Sequence, residues 1–291
     1  MTSIFRKMPW LDRTGRFSWP KTATFVALFL PGLAAIVDLA DGAFGAEPSK
    51  QVIHAMGLWT IRLILLALAI TPAMQIFKLP RLLIVRRMIG VAAFTYAALH
   101  FSAYIVQQHF NLSKVASEIY LRFYLAIGFA TLLILLALAV TSTDAMIRRM
   151  GSRRWTLLHR VIYLGGVLAF IHYIVQVKLD VTEPTIFGGI FIWLMLYRAA
   201  LWTLGQKRAV QPLTLLALAF AAGALTMAGE AAGYSLFTHI DGSRVFAANF
   251  SLAAGLRPGW YALIFGLIVA GAAFVRALFV PTPNRAKPVT V

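Results

Sequence analysis

Residues 155–177 read WTLLHRVIYLGGVLAFIHYIVQV, an apolar stretch with one histidine near its start and another near its end. A membrane-spanning helix needs about 20 mostly apolar residues, and an ionisable side chain inside such a helix is costly and usually functional. His159 and His172 are thirteen residues apart, which is about 20 Å along one continuous helix. Imidazole binds heme iron and several other metals. The stretch therefore predicts a membrane helix that carries a metal ligand near each membrane face.

The composition of the whole chain is that of a polytopic membrane protein. Of its 291 residues, 60% are hydrophobic and 13% are charged, whereas a soluble domain averages about 25% charged residues. The chain has no cysteine, which excludes disulfides, thiolate-bound iron–sulfur clusters and thiol catalysis. It also lacks a Walker loop and a GxGxxG motif after a strand, so we expect no nucleotide-binding domain within it.

The net charge of +17 follows a topological pattern rather than forming one basic face. Basic residues cluster in alternate loops between the apolar runs, and most acidic residues fall in the intervening loops. The basic clusters lie at 6–21, 78–87, 148–154, 207–208 and 285–287. This is the positive-inside distribution, so we predict that both termini are cytoplasmic. The basic loops are expected to lie against anionic membrane lipid and not to bind nucleic acid.

The apolar runs predict an all-α bundle of about eight transmembrane helices. They cover approximately 22–40, 55–77, 88–107, 120–141, 155–177, 186–204, 213–229 and 260–280. The first run follows basic residues, as in a signal peptide, but its length predicts a retained anchor. The predicted regions are a cytoplasmic segment (1–21), a six-helix core (22–208), an accessory hairpin with an outer loop at 230–259 (209–280) and a cytoplasmic tail (281–291).

Two of the intramembrane histidines, His100 and His172, are predicted to lie at a similar depth in the membrane. His100 lies about 21 Å along the third span, counted from Arg86, and is therefore in the outer half. The fifth span runs in the same direction, so His172 is also in the outer half. His159, four residues beyond Trp155, lies near the cytoplasmic face. We predict that His100 and His172 bind one iron axially, and that His159 has another partner or serves a second, five-coordinate site.

On one ideal helix, His159 and His172 would point in different directions around the helix axis. Thirteen residues at about 100° each leave the two side chains roughly 140° apart around an ideal helix. Gly165-Gly166 lies between them and permits a distortion, or else the two histidines serve sites on different sides of the helix. The alternative role for a single intramembrane histidine is a hydrogen bond between helices. His109 and His239 fall in loops, where we expect solvated side chains.

Two further residues are candidates for cofactor contact. His54, at the outer mouth of the second span, is either an interfacial side chain or part of a ligand or quinone site. Arg62 lies eight residues into the same span and requires an anionic partner. A heme propionate, Glu47 and Asp38 are the candidate partners. The cytoplasmic basic loops either bind a flavin phosphate, receive an acidic flavoprotein, or only set the topology.

Several motifs, in this order, resemble those of the ferric-reductase-like transmembrane superfamily and, within it, of the MsrQ (YedZ) family. They are ITP at 70–72, RRMIG at 86–90, LH at 99–100, TSTDAM at 141–146, RWTLLHRVIY at 154–163 and IHY at 171–173. The resemblance covers about residues 24–205. It leaves out the extension at 209–291, which short members of the family lack.

The resemblance implies an electron-transfer subunit of the bacterial inner membrane. It implies one or two b-type hemes bound by the residues that match His100, His159 and His172, and an associated FMN. Electrons would come from the membrane quinone pool or a cytoplasmic flavin reductase. They would pass to MsrP, a periplasmic molybdopterin subunit that reduces methionine sulfoxide in oxidised proteins, so that catalysis takes place on the partner. The alternatives are a stand-alone ferric reductase and a transporter whose histidines relay protons.

Overall fold

The structure, a computed structural model, describes residues 8–11, 14–177, 180–238, 240–251 and 255–279. Within those ranges the chain forms helices and no strand. Eight helical segments are long and apolar enough to cross a membrane. The prediction of an all-α, polytopic membrane bundle is therefore confirmed. His239 and the predicted tail at 281–291 lie outside the described residues.

The helices follow the predicted apolar runs and extend beyond most of them. In chain order they are α1 (Trp19–Ala40), α2 (Pro48–Phe77), α3 (Leu83–Gln107), α4 (Leu112–Leu121), α5 (Phe123–Val140), α6 (Asp144–Met150), α7 (Ser152–His159), α8 (Ile162–Gln176), α9 (Thr182–Leu204), α10 (Gln206–Ala209), α11 (Pro212–Thr238), α12 (Gly242–Ala248) and α13 (Pro258–Phe279). A 3-10 turn at Pro80–Leu82 leads into α3. The short α7 and the longer α8 together make up the fifth span.

The connection between the third and fourth predicted spans, residues 108–119, contains a helix. The side-chain oxygen of Asn111 accepts a hydrogen bond from the backbone N–H of Lys114 at 2.9 Å and begins α4. Asparagine is among the best N-cap residues because it satisfies an N–H that the first turn leaves unpaired. The connection is therefore helical for most of its length, although α4 is too short to cross a membrane.

The predicted outer loop at 230–259 is also largely helical. The α11 helix continues to Thr238, and the carboxylate of Asp241 accepts the backbone N–H of Ser243 at 2.9 Å to begin α12. Hydrogen bonds from the side chain and backbone of Ser243 hold the pKa of Asp241 below its usual value. Aspartate favours turns and helix N-termini alike, and here the helix forms.

The fifth span is not one continuous helix, contrary to the prediction for 155–177. The α7 helix ends at His159 and α8 begins at Ile162. Between them the N–H of Val161 bonds to the carbonyl of Leu158 at 3.0 Å, an i to i+3 pattern that tightens the turn. The break precedes Gly165-Gly166, which lies inside α8. His159 and His172 therefore belong to different helices, and the phase of an ideal helix does not relate them.

Contacts divide the chain into two compact units. The first comprises residues 1–74 and 80–187, and the second comprises 75–79 and 188–291. The boundary falls within α9, whereas the sequence predicted a division between 208 and 209. In the first unit, α5 packs against α8, α3 and α4, and α1 packs against α3.

The second unit is built around α11 and α13, which pack closely through small residues. A Cβ added at Gly223 would lie 3.0 Å from the Cβ of Leu263, and one added at Gly266 would lie 2.5 Å from that of Ala219. Small residues let membrane helices approach until their backbones nearly touch. Glu230 and Arg257 form a largely buried ion pair in this unit, at 2.7 Å.

Candidate metal centre

The structure brings His100 and His172 together. His100 lies near the C-terminal end of α3 and His172 near that of α8. Their ring centroids are 6.2 Å apart, and the ring planes are nearly perpendicular, at 88°. Both side chains are half-buried. The two histidines that the sequence placed at the same membrane depth are thus neighbours, and we call them the His100–His172 pair.

Each ring of the pair is held through its Nδ1 atom by a backbone carbonyl from a neighbouring helix. Nδ1 of His100 lies 2.8 Å from the carbonyl oxygen of Ile53 on α2. Nδ1 of His172 lies 2.7 Å from the carbonyl oxygen of Tyr124 on α5. A carbonyl oxygen only accepts hydrogen bonds, so Nδ1 carries the proton in both rings. In the neutral imidazoles, each Nε2 therefore keeps the lone pair that a metal requires.

Glycines on the neighbouring helices make room for both rings. A Cβ added at Gly57 on α2 would lie 2.9 Å from Nδ1 of His100. One added at Gly128 on α5 would lie 2.7 Å from Cε1 of His172. Cβ atoms essentially never approach other atoms so closely. The absence of a side chain at these two positions lets each imidazole lie directly against the neighbouring helix backbone.

The donor set of the pair would suit a heme iron. Two metal–nitrogen bonds of about 2 Å, plus about 1 Å from each nitrogen to its ring centre, would separate the two ring centres by about 6 Å. The ring centres of His100 and His172 are 6.2 Å apart. No group of three or more histidine, cysteine or acidic residues suited to a bare metal ion occurs in the described part of the chain. A heme requires only one or two axial side chains from the protein.

His159 has a different kind of environment. Its ring stacks on the indole of Trp155, with centroids 3.8 Å apart and planes inclined at 25°. Its Nδ1 bonds to the carbonyl of Trp155 one turn earlier, at 3.0 Å. Its Nε2 lies 3.3 Å from the hydroxyl of Ser142, and that hydroxyl donates to the carbonyl of Leu138 at 2.7 Å. The contact with Nε2 is therefore long and weak. We call His159 with Trp155 and Ser142 the His159 site.

Arg62 pairs with an acid that the sequence did not suggest. Its guanidinium lies 3.3 Å from the carboxylate of Glu183, in the first turn of α9. The hydroxyl of Tyr173 donates to the other carboxylate oxygen at 3.0 Å. Glu47, a partner considered from the sequence, forms an ion pair with Lys50 at 2.9 Å instead. We call Arg62, Glu183 and Tyr173 the Arg62 network.

Sequence reasoning missed Glu183 because it lies 121 residues from Arg62 along the chain. The available signal was an acid in the first turn of an apolar run, close to the end of the preceding span. The side chain of His54, the other additional candidate, is exposed near the start of α2.

The eight candidate spans define a multi-pass membrane protein, and the comparisons place it in the ferric-reductase-like class. A family model described as "Ferric reductase like transmembrane component" matches residues 56–170, which include His100 and His159 and end two residues before His172. Curated relatives extend the match, and by these similarities the chain belongs to the MsrQ family. The recognition made from the sequence motifs is thereby confirmed.

Each of those relatives bears the name "Protein-methionine-sulfoxide reductase heme-binding subunit MsrQ". The protein from Rhodospirillum rubrum is 40% identical over 188 residues, which are 64% of this chain and 88% of the relative. The protein from Caulobacter vibrioides is 42% identical over 158 residues, or 54% and 75% of the two chains. The protein from Cronobacter sakazakii is 38% identical over 185 residues, or 63% and 92%. No solved structure matches the chain.

Proposed function

We propose that this chain is a b-type cytochrome subunit of a protein-methionine-sulfoxide reductase system, with a heme bound between His100 and His172. The observation that carries the proposal is the orientation of these two rings, each bonded through Nδ1 to a backbone carbonyl. Metal-bound histidines nearly always donate their other ring N–H in this way. The names of the MsrQ relatives support the choice of heme.

The residues of the chain hold and tune the cofactor. The carbonyls of Ile53 and Tyr124 fix the tautomer of each imidazole and raise the basicity of Nε2. Gly57 and Gly128 let the rings approach the neighbouring helices. When bound, the heme supplies one-electron chemistry between ferric and ferrous iron, and the protein sets its potential and access.

His159 is proposed to serve a second site. Its Nε2 lies 3.3 Å from the hydroxyl of Ser142, a long contact, and would be the ligating position for a second heme. An FMN is proposed as a further cofactor, with its phosphate near the basic residues between α5 and α7. His54 and Arg62 are proposed as additional cofactor contacts. For Arg62, the aromatic surroundings and the half-exposed guanidinium support contact with a bound molecule.

The proposed direction of electron transfer follows the family. Electrons enter from membrane quinol or from a cytoplasmic flavin reductase and leave to MsrP, a periplasmic molybdopterin subunit. That partner reduces methionine sulfoxide in oxidised proteins, so the present chain transfers electrons and does not reduce the sulfoxide itself. The positive-inside charge pattern supports a bacterial inner-membrane location with both termini in the cytoplasm.

The test is a spectrum of the purified protein together with its heme content per polypeptide. We expect a reduced-minus-oxidised difference spectrum of b-type heme. His100→Ala and His172→Ala should each remove the heme of the pair, because each takes away an axial ligand. His109→Ala, at an exposed position, is the matched control and should retain full heme content. Full retention in both ligand variants would refute the assignment.

A stand-alone ferric reductase is the second candidate, favoured by the match of residues 56–170 to the ferric-reductase-like model. Such a protein would reduce a soluble ferric chelate without a molybdoenzyme. The discriminating measurement is the rate at which the quinol-reduced protein is reoxidised. Rapid reoxidation by ferric citrate alone supports the second candidate, and reoxidation that requires MsrP with methionine sulfoxide supports the first.

A further inference from the structure

The Arg62 network combines a hydrogen-bond donor with an acceptor between aromatic rings. Arg62 and Glu183 are 3.3 Å apart, and their side chains are 37% and 49% exposed. The guanidinium lies 5.0 Å from the ring centre of Trp59 and 5.8 Å from that of Phe187. A guanidinium carries five N–H donors, and among the described residues Arg62 uses only one hydrogen bond, to Glu183. Donor capacity therefore remains for a ligand.

An apolar cleft of about 510 Å³ begins at the same tryptophan. Helices α1, α2 and α3 line it, and Trp59 is its lining residue nearest the N-terminal end of α2. The lining residues are Thr24, Ala27, Leu28, Pro31, Trp59, Leu63, Leu66, Ala69, Ile70, Ala73, Leu82, Val85 and Ile89, of which only the threonine is polar. The side chain of Trp59 thus both lines the apolar cleft and lies 5.0 Å from the guanidinium of Arg62.

We propose that the Arg62 network binds the headgroup of a membrane quinone, and that the isoprenoid tail of the quinone occupies the apolar cleft. The arrangement complements both redox forms of this ligand. A quinone carbonyl accepts a hydrogen bond from Arg62, and a quinol hydroxyl donates one to Glu183. Tyr173 orients the carboxylate through its own hydrogen bond. The aromatic rings of Trp59 and Phe187 offer stacking surfaces for the flat headgroup.

The charge of the network favours a quinone over a phospholipid. The carboxylate of Glu183 lies 3.3 Å from the guanidinium of Arg62 and would repel the phosphate of a phospholipid bound beside it. A quinone headgroup is uncharged and meets no such repulsion. Arg62 is also only five residues, about 8 Å, beyond Gly57, whose backbone lies against His100.

This inference rests on the proposed function, because a quinone site has a role only if the chain receives electrons from quinol. The experiment measures equilibrium binding of decylubiquinone and of its quinol to purified, heme-loaded protein in detergent micelles. Dithionite keeps the quinol reduced. The variants are Arg62→Gln, Glu183→Gln and Tyr173→Phe. The control is Glu47→Gln, which removes an exposed acid elsewhere on the chain. Heme per polypeptide is measured on the same samples.

The expected affinities distinguish the role of Arg62, a hydrogen-bond donor, from that of Glu183, an acceptor. Arg62→Gln should weaken binding of both redox forms about tenfold or more, because a hydrogen bond to a charged group is lost. Glu183→Gln should weaken the quinol more than the quinone. Tyr173→Phe should have a smaller effect, a fewfold on the quinol. Glu47→Gln should bind both forms as the unmodified protein does. Heme content should stay equal throughout.

Three results would overturn the proposal. The first is unchanged affinity in all three site variants. The second is loss of heme in Arg62→Gln with unchanged quinone affinity in the heme-retaining fraction, because Arg62 would then serve the heme. The third is displacement of the quinone by equimolar phosphatidylglycerol, which would identify a phospholipid site.

Heme content separates this proposal from the proposed function. Heme-loaded protein that binds no quinone refutes the quinone site and leaves the cytochrome assignment standing. If Arg62→Gln does not fold, Glu183→Gln and Tyr173→Phe carry the test, since each removes or replaces only one polar group.

Discussion

The His100–His172 pair and the His159 site lie in the same compact unit but are held in opposite ways. Each ring of the pair bonds to a carbonyl on another helix, Ile53 on α2 or Tyr124 on α5. The ring of His159 bonds to the carbonyl of Trp155, one turn earlier on its own helix. The geometry of the pair therefore depends on tertiary packing, whereas that of His159 is largely local. Changes in helix packing should affect the pair and leave the His159 site intact.

The largest effect is expected from filling the space beside the rings. Gly128→Ala would place a Cβ 2.7 Å from Cε1 of His172, and Gly57→Ala one 2.9 Å from Nδ1 of His100. Either ring must move, which strains its bond to the carbonyl. We expect heme affinity of the pair to fall about 10- to 100-fold, the range for disturbed outer-shell contacts. Heme content per polypeptide measures this effect.

Gly90→Ala is the matched control for that prediction. Gly90 lies on α3, as His100 does, and a Cβ there would meet nothing within 4 Å. Alanine also has a higher helix propensity than glycine. The control should therefore retain heme and unfold at the same or a slightly higher temperature. Equal heme loss in Gly90→Ala and Gly128→Ala would show that glycine content, and not room for the ring, is what matters.

A smaller and local effect is expected at Trp155. Trp155→Leu removes the stacking on His159 and the hydrogen bond from the indole N–H to the carbonyl of Thr141, which is 2.9 Å long. Together these contacts contribute about 1 to 3 kcal/mol. We expect a lower unfolding temperature in detergent and a changed spectrum for any heme bound at His159. The spectral signature of the His100–His172 pair should not change, and loss of that signature would contradict the separation of the two sites.

The smallest effect is expected at Ser142. Its hydroxyl lies 3.3 Å from Nε2 of His159, a long contact, and it bonds mainly to the carbonyl of Leu138. Ser142→Ala should change stability by less than about 1 kcal/mol. Comparing the midpoint temperature of thermal unfolding of Ser142→Ala with that of Trp155→Leu shows which of the two contacts stabilises the protein more. A larger loss in Ser142→Ala than in Trp155→Leu would show that the serine, and not the indole, positions His159.

The fold was predictable from the sequence because a helix that crosses a lipid bilayer needs about 20 mostly apolar residues. Apolar runs of spanning length and alternating charged loops define the eight spans and the depth at which each histidine lies. Depth alone paired His100 with His172, and the structure places their rings 6.2 Å apart. Their role as ligands remains a prediction. The ordered motifs between residues 70 and 173 also identified the family, which the relatives confirm.

What the sequence did not reveal depends on contacts between distant residues. The partner of Arg62 is Glu183, and no local pattern joins two residues 121 positions apart. The break at 160–161 arises from a tight turn without a proline or glycine to mark it. The helices within the predicted outer loops were missed because Asn111 and Asp241 signal turns and helix caps equally well.

In the proposed heme site, His100 and His172 would both be ligands of one iron, with ring planes nearly perpendicular as in the structure. Electron paramagnetic resonance of the oxidised protein tests it most directly, because perpendicular imidazoles give a highly anisotropic low-spin ferric signal. We predict that signal in the unmodified protein and in His159→Ala, and its loss in both His100→Ala and His172→Ala. A purely high-spin signal in the unmodified protein, or a highly anisotropic low-spin signal that survives in either variant of the pair, would contradict ligation by these two histidines.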